Sequence, residues 1–299
     1  MGNRMLNIWR QLLGLILVLT LLSPALANAE PLDAVGSDPN TMGWMQGFPP
    51  PDERIIGHPA SDYFSFPKLR WTFCHFREIQ ATKRVGRGID PASPLSGILD
   101  PAIDDVTFLP IGSDEEMSWK ASLDANYTDG MLILHRGEIV YEYYSGCLDR
   151  EGRHGAMSVT KSFVGTIAEI LIAEGELDDS KLVSDYVPEL KSSAFGNATV
   201  RQVMDMTTGL DYNENYADPE SDIWLYAAAG DPMPKPESYA GPRNFYEFLQ
   251  GVKPEGTHGE AFIYKSINTD ALAWVIARAT GKDFIEHLSE RIWKPLGMS

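Results

Sequence analysis

The chain has 299 residues, which is enough for one large domain or two small domains with a substantial core. It carries 42 acidic residues against 25 lysines and arginines, a net charge of −17, which argues against nucleic acid or an anionic membrane surface as a partner. The histidines show no ligand spacing such as HExxH, so no metal site is predicted. Cys74 and Cys147 are too few for a disulfide framework, and whether they pair in an oxidising compartment stays open.

The first 29 residues have the features of a secretory signal peptide. Arg4 and Arg10 precede an apolar run, LLGLILVLTLL, and the segment ends in small residues that include Ala27 and Ala29. The apolar run is too short to span a bilayer comfortably. We therefore expect cleavage after Ala29, a mature chain that starts at Glu30, and export to the periplasm or the medium without further membrane attachment.

Two regions are predicted in the mature chain. Residues 30–110 are rich in proline, glycine and aromatic residues and show little periodicity, which predicts an irregular N-terminal wrap. Residues 111–299 are the second region and are predicted to form a folded domain. Its first clear element is a β-hairpin over 130–146, because two β-rich runs flank the letters HRG. Such a ribbon is marginal by itself, so we expect it to need further strands.

Four helices are predicted after the hairpin. The first is apolar over most of its circumference and ends at a glycine, which predicts a buried helix. The second also stops at a glycine, the third has Asn268 or Thr269 as a plausible N-cap, and the fourth is broken at Pro295. The order of irregular segment, hairpin and helices indicates the α+β class. The predicted helices span 158–175, 198–209, 267–281 and 283–298.

The start of the first helix contains the motif Ser-x-x-Lys, at Ser158 and Lys161. A helix places these side chains one turn apart and adjacent, as a nucleophile and its proton acceptor require. A second copy, at Ser65 and Lys68, contains Pro67, which disfavours a helix. The alternative is that Ser158 only caps the helix and Lys161 is solvated. A lysine in the first turn of an apolar helix opposes the helix dipole, however, and such surroundings favour loss of its proton.

Two tyrosines are further candidates. Tyr264 ends a short apolar run directly before the third predicted helix, so its hydroxyl can project into a cleft; packing with a wet hydroxyl is the alternative. Tyr216, in the letters DYNENY, lies in a loop flanked by proline and aspartate. We predict Tyr216 at the rim of a substrate pocket, and a role as a loop anchor is the alternative.

Several stretches in order resemble the serine β-lactamase and penicillin-binding protein family, in its class C and DD-peptidase/esterase branch. They are LILHRGEIVYEYYSG, the SVTK helix start, EGELDDSKLVSDYVPEL, VRQVMDMTTGL and YKSINTDALAWVIARATGKDFIEHLSERIWKPLGM, and they cover about 130–299. The stretches WMQGFPPPDERI, LRWTFCHFREIQATKRVGRG and DYNENYADPES also resemble the branch of 6-aminohexanoate-dimer (nylon oligomer) hydrolases. This narrower resemblance begins at about residue 40.

The resemblance implies a β-lactamase-like fold, an antiparallel sheet with helices plus a helical subdomain, and a serine hydrolase that cleaves amide or ester bonds of small linear substrates. It implies that Ser158 forms the acyl-enzyme, that Lys161 takes or relays its proton, and that Tyr264 shares this role and protonates the leaving group. The family's Tyr-x-Asn reads YKS here, so Ser266 and Asn268 are the candidates for contacts with the substrate amide. No metal or organic cofactor is implied.

Two alternatives stay open. One is a DD-peptidase or class C β-lactamase, and the other is a non-catalytic relative. The family's third motif, Lys or His followed by Thr or Ser and Gly, is not found after Tyr264, and no β-rich run follows there. We therefore expect residues 1–299 to be an incomplete catalytic unit that is poorly soluble or molten and nearly inactive.

Overall fold

The computed structural model of the protein describes residues 31–57, 62–231, 235 and 237–298. The predicted signal peptide lies outside these ranges. The helices of the described part are α1 (Pro39–Met42), α2 (Leu69–Ile79), α3 (Trp119–Ala125), α4 (Val159–Ala173), α5 (Val183–Tyr186), α6 (Val200–Met204), α7 (Asp222–Gly230), α8 (Phe245–Gly251), α9 (Ile267–Thr280) and α10 (Phe284–Leu288). Antiparallel pairs are formed by β1 (Thr107–Phe108) with β2 (Met117–Ser118), β3 (Gly130–His135) with β4 (Glu138–Tyr144), and β5 (Leu210–Asp211) with β6 (Lys253–Pro254).

The N-terminal region is more regular than its composition predicts. The helix α2 lies within it, and Trp71 of this helix packs with Trp44, Ile56 and Tyr63 in a small apolar cluster. The prediction of an irregular wrap over 30–110 is therefore wrong for this segment. The helix was missed because its buried face consists of aromatic and polar side chains, which give no aliphatic periodicity.

Cys74 and Cys147 form a disulfide bond, with their Cα atoms 6.1 Å apart, inside the normal range. The bond joins α2 to the segment that follows the β3–β4 hairpin. The two cysteines are 73 residues apart in sequence, so the bond closes a long loop and restricts the unfolded chain. It fixes the N-terminal region against the part of the chain that leads to α4.

The predicted hairpin is confirmed. Arg136 and Gly137, in the turn between β3 and β4, both have positive φ (51° and 85°), as a type I′ turn requires. Gly97 bridges Ile139 of β4, and a Cβ atom at position 97 would lie 2.7 Å from the Ile139 carbonyl oxygen, so only glycine fits there. No strand within the described part of the chain pairs with the remaining edge of β3.

The main core lies among the helices of the C-terminal half. Ile167 and Leu171 of α4 and Ile267 and Val275 of α9 are fully buried in it. Burial of each such aliphatic side chain contributes about 1.5–3 kcal/mol relative to exposure. α9 packs against both α4 and α6, so the start of α4 and the segment ahead of α9 come to the same edge of the core.

The ends of the helices match the predictions in part. Gly175, two residues after the end of α4, and Gly281, directly after α9, have left-handed φ of 76° and 72°, as predicted. The helix predicted over 198–209 is wrong in its end, because α6 stops at Met204 and Met206 is left-handed (φ 53°). No helix in the described ranges is both long and apolar enough to cross a membrane.

Two further boundaries were less regular than expected. The N-cap of α9 is Ser266, so the prediction of Asn268 or Thr269 as the cap is wrong. The last predicted helix consists of α10 and a π-helical turn over Ser289–Trp293, and it ends before Pro295 as predicted. The described residues after Tyr264 are therefore helical or turn-like.

Candidate functional site

Ser158 lies at the start of α4 and is exposed. Its backbone is already helical (φ −69°, ψ −11°), and its hydroxyl makes no capping hydrogen bond, so the capping interpretation is wrong. Lys161 follows one turn later, and its Nζ donates to Ser158 Oγ at 3.0 Å. The predicted adjacency of serine and lysine is therefore confirmed.

The backbone ahead of Ser158 forms a tight turn. Met157 has φ of 44°, which is uncommon for a residue other than glycine. The N–H of Val159 donates to Ala156 O at 3.0 Å, which closes the turn around the serine. The Ser158 N–H has no hydrogen-bond partner within the described part of the chain, so this donor is available to a ligand oxygen.

Tyr264 approaches the same hydroxyl from the segment ahead of α9. Its phenolic oxygen donates to Ser158 Oγ at 2.8 Å, and Lys161 Nζ lies 5.2 Å from the centre of its ring. The N–H of Ile263 donates to Met206 O at 3.0 Å, which ties this segment to the end of α6. The structure thus brings together the three residues that the sequence nominated as catalytic.

The pKa of Tyr264 is held below its usual value. Burial alone would raise it, but the polar contacts with Lys161 and Ser158 and the positive charge of Lys161 outweigh burial. A phenol with a lowered pKa loses its proton more readily, and its oxygen is within hydrogen-bond reach of the serine hydroxyl. This geometry suits a group that accepts the serine proton.

The predicted binding residues Tyr216 and Ser266 lie together, because both bond to Glu214. Tyr216 is 60% exposed at the edge of the site, and its hydroxyl donates to Glu214 Oε1 at 2.7 Å. Ser266 donates to the same oxygen at 2.6 Å. Tyr216 was predicted from the letters DYNENY, but Glu214, two residues earlier, was not. The available signal was a carboxylate in the same loop as the chosen tyrosine.

Asn268 was predicted to contact the substrate, and the structure contradicts this. The residue is 0% exposed. Its side-chain oxygen accepts from Thr208 Oγ1 at 2.7 Å, and its Nδ2 donates to Lys265 O at 3.2 Å. The reason is the phase of α9: position 268 lies in its first turn and points towards the chain after α6. Asn268 is a core residue that joins the two segments.

Both ring nitrogens of His258 contact other residues of the protein. Its Nδ1 accepts the N–H of Gly209 at 2.9 Å, and its Nε2 lies 3.1 Å from the side-chain oxygen of Asn197. Burial lowers the pKa of its imidazole. Among the described residues, no group of three or more histidine, cysteine, aspartate and glutamate side chains could hold a metal ion.

A serine that receives hydrogen bonds from a lysine one turn along its helix and from a tyrosine of a second segment defines a nucleophile site. A model of the Beta-lactamase family matches residues 125–299, more than half of the chain. The chain belongs to this family and has its β-lactamase-like fold, as the sequence analysis expected.

Two relatives of this chain share a description that is more specific than the family. The chain is 36% identical over 251 residues to the 6-aminohexanoate-dimer hydrolase of Paenarthrobacter ureafaciens, covering 80% of this chain and 58% of that protein. A solved structure described as a candidate 6-aminohexanoate-dimer hydrolase from Bacillus anthracis has a TM-score of 0.71 and 34% identity, covering 79% of this chain and 61% of that one. The chain therefore spans about three fifths of the length of these relatives.

A third relative matches a short segment. The chain is 45% identical over 53 residues to a beta-lactamase of Providencia stuartii, which is 18% of this chain and 14% of that protein.

Proposed function

We propose that the protein is a serine hydrolase that cleaves amide or ester bonds of small linear substrates through an acyl-enzyme on Ser158. The observation that carries this proposal is the exposed Ser158 hydroxyl, which receives hydrogen bonds from both Lys161 and Tyr264. A hydroxyl is a weak nucleophile until a neighbouring group can take its proton. Two such groups converge here on one oxygen.

The reaction follows from this geometry. Ser158 Oγ attacks the substrate carbonyl carbon, and its proton passes to the Tyr264 oxygen or to Lys161 Nζ. The Ser158 N–H donates to the oxyanion that forms. The proton then moves to the leaving amine or alcohol as the bond to the carbonyl carbon breaks. Water attacks the resulting ester with the same groups as base, which releases the acid and restores the serine.

The substrate class is proposed from the relatives and from the loop at the rim. Two relatives, each of which covers about four fifths of this chain, carry the name 6-aminohexanoate-dimer hydrolase. Tyr216 offers an exposed aromatic face beside Trp224, with the ring centres 6.1 Å apart, and such a surface suits an extended aliphatic amide. We therefore propose a linear amide of the aminohexanoate type as the substrate.

Export is part of the same proposal. The first 29 residues have the features of a signal peptide, and the disulfide between Cys74 and Cys147 supports an oxidising compartment outside the cytosol. The N-terminal residue of the protein recovered from the periplasm or the medium tests this. A mature chain that starts at Glu30 is expected, and a cytosolic protein with an intact N-terminus would contradict it.

The function is tested by incubating the mature protein with the linear 6-aminohexanoate dimer, p-nitrophenyl acetate and nitrocefin. Release of 6-aminohexanoate by the protein but not by Ser158→Ala is the expected result. Faster turnover of nitrocefin than of the dimer would favour a β-lactamase. No turnover of any of the three, together with no covalent labelling of Ser158, would show that the proposal is wrong.

A further inference from the structure

One carboxylate beside the nucleophile receives three hydrogen bonds. The N–H of Ser266 donates to Glu214 Oε2 at 2.6 Å, and the Ser266 hydroxyl donates to Oε1 at 2.6 Å. The Tyr216 hydroxyl also donates to Oε1, at 2.7 Å. Hydrogen bonds to an ionised acceptor are short and about twice as strong as neutral ones, and these three have the expected lengths.

The three bonds hold the segment that carries Tyr264. Ser266 is the N-cap of α9, two residues after Tyr264, and it makes no capping bond of its own. Glu214 instead brings a negative charge to this helix start from another part of the chain, which the helix dipole favours. Through Ser266, Glu214 fixes the turn from which the phenol of Tyr264 reaches Ser158.

The loop that carries Glu214 is itself braced. The N–H of Asn213 donates to Asp222 Oδ2 at 2.8 Å, and the N–H of Asn215 donates to Ser221 Oγ at 3.0 Å. Ser221 Oγ in turn donates to Asn213 O at 2.8 Å. The residues on both sides of Glu214 are thus tied to the start of α7, so the carboxylate is presented from a fixed base.

We infer that Glu214 is a positioning residue of the proposed hydrolase: its carboxylate holds Tyr216 at the rim and, through Ser266, holds Tyr264 against Ser158. This inference rests on the proposed function. A glutamine could not replace Glu214, because its one carbonyl oxygen and its NH₂ group cannot accept all three donors. Burial and the contact with Glu214 raise the pKa of Tyr216 to about 12, so the phenol keeps the proton that it donates.

The test compares Glu214→Gln with Glu220→Gln. Glu220 is an exposed glutamate of the same loop, and its side chain makes no hydrogen bond or ion pair within the described part of the chain. Both variants lose one negative charge. The readouts are the rate and final extent of Ser158 labelling by a fluorophosphonate, the turnover of p-nitrophenyl acetate, and the melting temperature.

Glu214→Gln is expected to label to the full extent but about a hundredfold more slowly, because a misplacement of about 1 Å costs roughly this factor. Glu220→Gln should label at the wild-type rate. Since Glu214 acts through Tyr264, adding Tyr264→Phe to Glu214→Gln should slow labelling far less than it does in the wild type. A role in stability alone would instead reduce the labelled fraction and leave the rate of the folded protein unchanged.

Other outcomes separate this inference from the proposed function. If the wild type labels at Ser158 and Glu214→Gln labels equally fast, or if the effects of Glu214→Gln and Tyr264→Phe multiply, the inference is wrong and the proposed function stands. If the wild type does not label, both are wrong. Should Glu214→Gln fail to fold, Ser266→Ala removes one of the three donors and should slow labelling about threefold to tenfold; an unchanged rate there would also overturn the inference.

Discussion

The same four-residue motif occurs twice in this chain and has two different structures. At the first copy, Lys68 Nζ pairs with Asp62 Oδ2 at 2.7 Å and lies 5.7 Å from the centre of the Trp44 ring. At the second, Lys161 Nζ donates to Ser158 Oγ at 3.0 Å. Among the described residues, no hydrogen bond joins the side chains of Ser65 and Lys68. The spacing of serine and lysine therefore does not make a nucleophile site by itself.

The two copies differ because different side chains contact their lysine and serine. At the first copy, the ammonium group of Lys68 pairs with the carboxylate of Asp62 and not with Ser65. This ion pair is an ordinary structural contact on the protein surface. At the second copy a helix holds both side chains on one face, and Tyr264 supplies a further polar group to the same serine oxygen. The first two predictions below change one copy while the other serves as its control.

The largest effect is expected for the two serines. Ser158→Ala should abolish labelling by a fluorophosphonate, because the acylated oxygen is removed, whereas Ser65→Ala should label like the wild type. Intact-protein mass spectrometry with peptide mapping checks both. An adduct on Ser65, or labelling that persists in Ser158→Ala, would be incompatible with the site described above.

The two lysines should differ nearly as much. Lys161→Arg keeps the positive charge, but arginine stays protonated and cannot accept the serine proton, so acylation should slow about a thousandfold to ten-thousandfold. Lys68→Arg keeps its ion pair with Asp62 and should change little. Stopped-flow or discontinuous labelling rates measure the difference. A near-normal rate for Lys161→Arg would mean that Tyr264 is the sole base.

Tyr264→Phe should slow p-nitrophenyl acetate turnover about a hundredfold to thousandfold. Tyr264 has a lowered pKa and acts as a base only when deprotonated, so kcat/KM should rise with pH and level off below pH ~10, the usual pKa of tyrosine. The phenylalanine variant should lack this rise. A pH profile of kcat/KM for both proteins is the measurement, and an identical profile in the variant would assign the rise to another group.

The three adjacent residues of the candidate site were predictable because their signals are local or follow the order of the family motifs. Ser158 and Lys161 are one turn apart on a helix with a clear apolar pattern, and Tyr264 directly precedes another helix. The contact between Glu214 and Ser266 spans 52 residues and has no periodic signal. Asn268 was misplaced because it was chosen only for its position two residues after the serine that replaces the family's asparagine. That position in the motif carries no information on burial, and the side chain is 0% exposed.

A smaller effect is expected at the rim of the site. Tyr216→Phe removes one hydrogen bond to Glu214 but keeps the ring beside Trp224. Turnover of the aminohexanoate dimer should fall about threefold to tenfold, the range of one ordinary hydrogen bond, with an unchanged melting temperature. A lower melting temperature at unchanged specific activity would instead support the alternative that Tyr216 anchors the loop.

The smallest effect is expected for the contact of Asp129 with Arg70 and His154. This contact joins the region of the first Ser-x-x-Lys copy to the region of the second. Asp129 Oδ1 accepts from Arg70 of α2 at 2.7 Å, and its Oδ2 lies 3.3 Å from Nε2 of His154, four residues before Ser158. The hydrogen bond with Asp129 raises the pKa of His154, although burial opposes this. Burial would raise the pKa of Asp129, but the bonds to His154 and Arg70 outweigh it and lower that pKa.

The directions of these two pKa shifts determine the pH range in which the contact between Asp129 and His154 stabilises the fold. The contribution of His154 is complete below its unfolded pKa of about 6.5 and is lost as the pH rises through its raised folded value. The contribution of Asp129 is complete above its unfolded pKa of about 3.9 and is lost only as the pH falls through its lowered folded value. The pair therefore stabilises most between pH ~4 and ~6.5.

His154→Gln should accordingly lower the melting temperature at pH ~5.5 by up to about 4 °C, since an ion pair with a partly exposed histidine contributes on the order of 1 kcal/mol. As the pH is raised towards ~8.5 and the imidazole loses its proton, the difference should shrink. His135→Gln, at the exposed end of β3, serves as the control and should show no such pH dependence. An equal loss at both pH values for His154→Gln would mean that the histidine joins the two regions by packing on Phe73, whose ring centre lies 5.4 Å away, and not by its charge.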